Sequence, residues 1–369
     1  MTPTPDRVAA RLSRVRAQMS RDGIDALAVT HLPNLQYLTG FSGSAGAAIV
    51  LRDACLLVVD FRYVTAATAL AGPLDGLVRV ETFAHSYDEA IADLLNASGA
   101  VRTGIEAADL PVGRFNAISA GLSANGSAGE APRLVPTERI VETVRMIKDA
   151  TEIAALREAG RRLAGVAARV PALVRAGRTE REIADEIELE LRRAGFTRAA
   201  FETIVASGPN SALPHARPTD RAVQDGDPTV LDFGGVYDGY CVDLTRTVQL
   251  GAVSAVMAKL YAAVAEAQRA AIEAVRPGVA SSVVDAAARS VLERHGLGEA
   301  FGHGTGHGLG LEVHEEPRIG RRSPRLPDVV IEAGMVFTIE PGAYVPGTGG
   351  VRIEDDVLVT DSGCEVLTR

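Results

Sequence analysis

Apolar residues recur at helical spacing over residues 6–22, where Val8, Leu12, Val15 and Met19 share one face of an amphipathic helix. Three short apolar runs follow, at 24–29, 47–51 and 55–59. Turn residues bound each run, so they read as buried strands. Helix and strand alternate to about Val135 and outline a small α/β domain. Pro132 and Pro136 bracket its end, and we place the domains at 1–140 and 141–369. Beyond the boundary, Asp149-Ala-Thr-Glu152 and Thr179-Glu-Arg-Glu182 have the form of helix capping boxes. The first opens a helix with a stripe of Ile153, Leu156, Leu163 and Val170, which Pro171 should kink or end. The second opens a helix with Ile183, Ile187 and Leu191 on one face, ended by Gly195. Both stripes read as core.

The pattern then changes to hairpins that carry acids. Residues 229–234 read as a strand and 241–250 as its return, with Asp238-Gly239 as a strong turn signal between them. Asp232 lies within the apolar first strand and Asp243 within the second. A buried carboxylate is costly unless it is paired or bound to a cation. Two of them across one hairpin repel without a cation between them. Two further helices, roughly 253–275 and 281–295, lead to FGHGTGHGLGLEVH at 301–314. This window holds three of the seven histidines, at His303, His307 and His314, and glycine at every second position from Gly302 to Gly310. Each interior glycine costs a helix about 1 kcal/mol, so the stretch should be extended. Parity then puts His303 and His307 on one face, and the glycines let another backbone or a ligand come close. Residues 335–340 read as a strand, 341–350 as a Pro/Gly loop and 351–360 as the returning strand. Glu340 and Glu354 sit on this second pair. The order of helices followed by an acidic hairpin therefore occurs twice, which suggests two similar halves facing one pseudo-symmetric site.

Composition narrows the function classes. The net charge of −9 argues against a general nucleic-acid surface. Aromatics are 4% with no Trp, which argues against a stacking platform for single strands. No apolar run approaches the roughly 18–20 residues that span a bilayer, and the first twenty residues lack the apolar core of a secretory signal. Three widely separated cysteines, Cys55, Cys241 and Cys364, fit a reducing cytoplasm and neither a disulfide framework nor a zinc-thiolate site. Residues 40–46, GFSGSAG, do not match the dinucleotide-binding glycine pattern and read as a tight loop.

Asp232, Asp243, His307, Glu340 and Glu354 form the chemical constellation. Four carboxylates and one imidazole exceed what a single zinc site takes. They suit two divalent ions sharing carboxylates. Oxygen-rich ligation favours Mn²⁺, while Co, Zn or Fe could occupy the same ligands. Two ions roughly 3.5–4 Å apart hold a bridging hydroxide and polarise a carbonyl, which is hydrolytic chemistry.

The motifs LDFGGVYDGYCVDLTRT (231–247), GHGTGHGLGLEVHE (302–315), TIEPGAY (338–344) and VRIEDDVLVT (351–360) resemble the pita-bread metallopeptidases, and among them the Xaa-Pro peptidases, aminopeptidase P and prolidase. YLTGFSGSAG and DFRYVTAA resemble the creatinase-type N-terminal domain. The resemblance implies an α/β N-terminal domain followed by an α+β pita-bread catalytic domain with two pseudo-symmetric halves. It implies that Asp232 holds the first metal, that Asp243 and Glu354 bridge both, and that His307 and Glu340 complete the second. Glu340 would also take a proton from the nucleophilic water. His215, His303 and His314 would line the cleft, with His314 on the scissile carbonyl or developing oxyanion and the other two positioning substrate. Tyr344 and Arg352 match positions near the metals, where Arg352 would orient an acidic ligand or meet a substrate carboxylate. The implied activity is hydrolysis of the bond preceding proline, in short peptides or Xaa-Pro dipeptides, by a cytoplasmic homodimer. The motifs do not separate aminopeptidase from dipeptidase. A creatinase-type hydrolase of small guanidino compounds departs from the five-ligand set, which is intact here. A non-catalytic peptide-binding module on the same fold would have no need of it.

Overall fold

The amphipathic N-terminal stretch folds as helix α1 (Pro5–Arg21), and Val8, Leu12, Val15 and Met19 are buried. The computed structural model describes residues 3–122, 132–325 and 327–369. The chain divides into two units, Met1–Arg145 and Met146–Arg369. In the first, the apolar runs become strands β1 (Ala26–Val29), β2 (Ala47–Val50) and β3 (Cys55–Val59), buried along their length. With β4 (Val78–Thr82), β5 (Arg102–Glu106) and β6 (Arg133–Thr137) they form a six-stranded sheet of order β4-β3-β2-β1-β5-β6. The β1–β2 and β2–β3 pairs are antiparallel and the others parallel, so the sheet is mixed. Between the strands run helices α2 (Leu32–Thr39), α3 (Val64–Ala71), α4 (Tyr87–Ser98) and α5 (Val112–Gly121), and α6 (Ile140–Arg145) closes the unit.

Both capping boxes form. Helix α7 (Ala150–Ala167) starts where Asp149 accepts the Glu152 amide at 2.9 Å and Glu152 reaches back to the Asp149 amide at 2.9 Å. Helix α8 (Glu180–Arg193) starts the same way with Thr179 and Glu182. The first stripe does not continue as one helix. Val170 and Pro171 belong to a short 3₁₀ turn, Val170–Leu173, as the missing proline N–H requires.

Helices α7 and α8 share a core with a sheet built on strands β9 (Pro228–Tyr237) and β10 (Tyr240–Gln249), flanked by β7 (Arg198–Ala199) and β8 (Ile204–Ser207). Asp238 (φ 50°) and Gly239 (φ 88°) make the two-residue turn, both left-handed as this turn demands. The register sets Asp243 opposite Gly234 and Asp232 opposite Thr245. Side chains two apart share a face, so both acids point the same way.

The second half repeats the plan. Helices α9 (Ala255–Ala274) and α10 (Ser281–Arg294) pack on a sheet of order β12-β11-β13-β16-β17. Its strands are β11 (Gly306–Gly308), β12 (Glu315–Ile319), β13 (Val336–Ile339), β16 (Asp355–Val359) and β17 (Cys364–Val366). Ile339 pairs with Asp355, so Glu340 and Glu354 emerge side by side where the ladder ends.

Two expectations fail locally. Residues 341–350 are not a plain loop: a further hairpin forms from β14 (Gly342–Val345) and β15 (Gly349–Arg352). The expected strand 351–360 is accordingly split between β15 and β16. Glycine marks close approach here, since a Cβ on Gly350 would lie 2.0 Å from the Ser211 carbonyl oxygen. In the histidine stretch only Gly306–Gly308 is strand, and His303 lies outside it. No helix among the described residues is long and apolar enough to cross a membrane.

The β9–β10 turn is testable. Gly239→Ala forces a Cβ into a left-handed conformation and should cost about 1–2 kcal/mol, read as a lower urea midpoint at unchanged slope.

Candidate metal centre

Five side chains from two sheets converge on one cavity of about 520 Å³. Asp232 and Asp243 reach in from β9 and β10, His307 from β11, and Glu340 and Glu354 from the ends of β13 and β16. Asp243, His307 and Glu354 form the tightest group, each offering a ligand atom within 4.8 Å of the others. His307 Nε2 lies 3.6 Å from Glu340 Oε1 and 3.9 Å from Asp243 Oδ2. Asp232 and Glu340 stand outside that group, and Asp232 Oδ2 turns to Arg352 Nη2 at 2.5 Å.

The acids are only partly compensated. Asp232 Oδ1, Asp243 Oδ1 and Glu354 Oε1 are buried with no hydrogen-bond partner among the described residues. Burial, reinforced by neighbouring carboxylates, pushes Asp243 and Glu354 well above the ordinary carboxylate range. Burial also raises Glu340, while His303 and Arg352 pull it back. A buried acceptor without a donor is costly, and several within one cavity repel. Hard oxygen donors with one imidazole suit divalent cations, so the donor set fits the metal pair that the motifs imply. The imidazole is prepared for ligation. His307 Nδ1–H donates to the Gly308 carbonyl at 3.2 Å, which leaves the Nε2 lone pair facing the acids. Burial lowers its pKa, which favours the neutral form that ligates.

The glycines explain how His307 reaches this place. A Cβ on Gly306 would lie 1.9 Å from the Thr338 carbonyl oxygen, and one on Gly308 would lie 2.1 Å from that of Glu316. Only glycine lets β11 pass between its neighbours. Helix α10 holds the preceding loop through a buried pair, Asp285 and Arg289. Asp285 Oδ1 accepts the Thr305 amide at 3.1 Å and its hydroxyl at 2.8 Å. Arg289 donates to the carbonyls of Phe301, at 3.0 Å, and His303. Neither residue stood out in the sequence. Their only signal is an acid and a base four apart on the buried face of a helix.

Asp356 was also passed over. It is buried beside Asp243, whose amide donates to its Oδ2 at 3.0 Å. The consecutive acids of IEDDV inside an apolar strand were the available signal. Thr245 Oγ1 donates to Glu354 Oε2 at 2.5 Å and ties the two hairpins together.

The remaining expected residues line or back the cavity. His303 Nδ1–H donates to the Gly304 carbonyl at 2.8 Å, so Nε2 accepts from the Tyr344 hydroxyl at 3.0 Å. Tyr344 Oη in turn accepts from Arg352 Nη1 at 2.9 Å. The same guanidinium donates to Asp232, to the Thr245 hydroxyl at 3.1 Å and to the Pro214 carbonyl at 3.0 Å. Hydrogen bonds donated outward from Arg352 thus link Asp232 on one side with Tyr344 and His303 on the other. The His314 ring packs at a tilt of 57° against that of His307, with centroids 4.3 Å apart, and makes no hydrogen bond among the described residues. Burial lowers the pKa of both His303 and His314. His215 lines the same cavity and is exposed.

Comparison with known proteins agrees with this geometry. The model for metallopeptidase family M24 matches residues 154–361, and that for the creatinase/prolidase N-terminal domain matches 11–147. An uncharacterized peptidase of Bacillus subtilis is 37% identical over 97% of this chain and 98% of its own length. The structure of an Xaa-Pro dipeptidase from Bacillus anthracis superposes with a TM-score of 0.91 at 35% identity, covering 98% of both chains. That of an X-Pro aminopeptidase from Thermotoga maritima gives 0.82 at 34% identity, covering 96% of this chain and 97% of that one.

The acid cluster sets a pH dependence with a definite sign. A carboxylate raised in the folded state holds its proton more tightly there than in the unfolded chain. The metal-free protein therefore loses stability as pH rises from the ordinary carboxylate range through the raised values. A divalent cation competes with those protons, so its binding strengthens over the same interval. The difference in Tm between Mn²⁺-loaded and chelator-treated protein should widen from about pH 5 to about pH 8. A difference that narrows contradicts ligation by these acids.

Proposed function

The chain belongs to metallopeptidase family M24, and from that premise we propose that it hydrolyses the peptide bond preceding proline in short peptides. The observation that carries this reading is the set of buried carboxylate oxygens, without a hydrogen-bond partner among the described residues, around His307. The Xaa-Pro-specific neighbours supply the substrate class. Asp232, Asp243, His307, Glu340 and Glu354 would hold two divalent cations, Mn²⁺ by preference for oxygen donors. Bound there, the cations supply Lewis acidity toward the scissile carbonyl and lower the pKa of water.

The rest falls to the side chains. Glu340, with its pKa raised by burial, receives a proton from the attacking water at its carboxylate and delivers it to the departing nitrogen of proline. His314 has a ring N–H available in the cavity and donates it to the carbonyl oxygen as negative charge develops. His303, its tautomer set by Gly304 and Tyr344, and His215, which lines the same cavity, position the substrate. Arg352 has its N–H groups directed at Asp232, Tyr344, Thr245 and Pro214, which supports a role in orienting Asp232 over direct contact with a substrate carboxylate. Free cysteines fit a reducing cytoplasm as its place of action, and the family resemblance supports a homodimer.

The test is hydrolysis of an Xaa-Pro dipeptide and an Xaa-Pro-Xaa tripeptide, with Mn²⁺ and then with EDTA. Cleavage before proline that EDTA abolishes supports the proposal, and the better substrate assigns the dipeptidase or aminopeptidase branch. A protein that binds two ions and cleaves neither peptide has another substrate. One that binds no metal is a peptide-binding module. His314→Ala should lower kcat by about 10²–10³-fold with little change in KM, since its hydrogen bond strengthens in the transition state. A change confined to KM would demote His314 to substrate binding.

A further inference from the structure

Glu180 opens helix α8 and is completely buried, yet among the described residues it has no ion-pair partner. Hydrogen bonds surround it instead. Its Oε1 accepts the Ser207 amide at 2.7 Å, the Ser207 hydroxyl at 2.8 Å and the Asn210 side-chain amide at 3.0 Å. Its Oε2 accepts the Thr219 amide at 3.0 Å and the Thr219 hydroxyl at 2.6 Å, and shares Asn210 at 3.1 Å. The Ser207 hydroxyl is kept a donor toward Glu180 because it accepts from Arg221 Nη1 at 2.6 Å.

The two oxygens thus grip the two ends of one loop. Residues 208–218 run between them, and 214–218, including His215, line the same cavity as the acids. The loop also presents the Pro214 carbonyl to Arg352. Near its middle, the Gly350 amide donates to Ser211 Oγ at 2.9 Å. Glutamine would match Glu180 in shape at a lower desolvation cost. Every group aimed at the site is a donor, however, and only a carboxylate accepts at both oxygens.

We propose that Glu180 is a positioning residue for the reaction, clamping loop 208–218 so that His215 and the Pro214 carbonyl hold their places in the cavity wall. The role rests on the peptidase reading; the clamp does not. An amide in place of the carboxylate turns one NH₂ toward donors at either Ser207 or Thr219, and that end of the loop is released.

Hydrogen–deuterium exchange on Mn²⁺-loaded wild type and Glu180→Gln tests the clamp. Faster exchange within 207–219, with 232–243 unchanged, is expected. Exchange in 207–219 that matches wild type overturns the clamp, whether or not the protein cleaves peptides. Kinetics on an Xaa-Pro dipeptide test the role. Glu180→Gln should lower kcat/KM by about 10–100-fold with both metal ions retained, as loss of an outer positioning partner does. In a His215→Ala background the same change should cost less than about 3-fold, since coupled residues are non-additive. Effects that multiply in full contradict the role. If Glu180→Gln does not fold, Thr219→Val removes one donor and keeps the backbone bond. It should show a smaller loss with the same non-additivity. Wild-type protein that cleaves neither peptide overturns the reaction and with it the role, and leaves the exchange result to decide the clamp.

Discussion

Carboxylates buried together in one cavity are the constraint on which this protein depends. Each one loses its hydration on burial, and each raises the free energy of the next. Asp232, Asp243 and Glu354 each keep a buried oxygen that no donor among the described residues reaches. The fold has basic groups close by, and it uses them elsewhere. Arg246 serves Asp355, and Arg352 takes one oxygen of Asp232 while sparing the other. Donors have been supplied around the cluster and withheld from its centre. That arrangement leaves the centre destabilised by itself and suited to a bound cation.

Around this centre the two halves divide the work. Each contributes a pair of helices and a hairpin, and each hairpin contributes two acids to a common cavity. An apolar core joins the halves, and two polar contacts cross between them directly, the Thr245 hydroxyl on Glu354 and the Asp243 amide on Asp356. Such bonds fix the distance between acids from different sheets, which the hairpins could not do alone. His307 comes from a third strand that fits only because Gly306 and Gly308 carry no side chain. A pair of charged residues on α10, Asp285 and Arg289, holds the chain leading into it.

Much of this was legible in the sequence, and for identifiable reasons. The β9–β10 hairpin could be read because Asp-Gly is one of few dipeptides that accept two successive left-handed residues. Its acids could be read because an aspartate amid Val, Leu and Phe has no ordinary reason to be there. The capping boxes are local, so the helix starts at Asp149 and Thr179 fell where expected. What failed depended on contacts remote in sequence. Gly349 and Gly350 looked like loop residues, yet they belong to a strand pressed against Ser211. Asp285, Arg289 and Glu180 carry no local signal of burial, and only tertiary structure turns them inward. Composition reports that a glycine or an acid is present. It does not report what approaches it.

Direct titration of divalent metal into chelator-treated protein tests the central claim most plainly. Calorimetry with Mn²⁺ should reveal two ions per chain, and Asp243→Asn should weaken or abolish the binding while the protein stays folded. Wild-type protein that takes up no metal, or an Asp243→Asn variant that binds two ions as tightly as wild type, would show that the buried acids are not built around a metal pair.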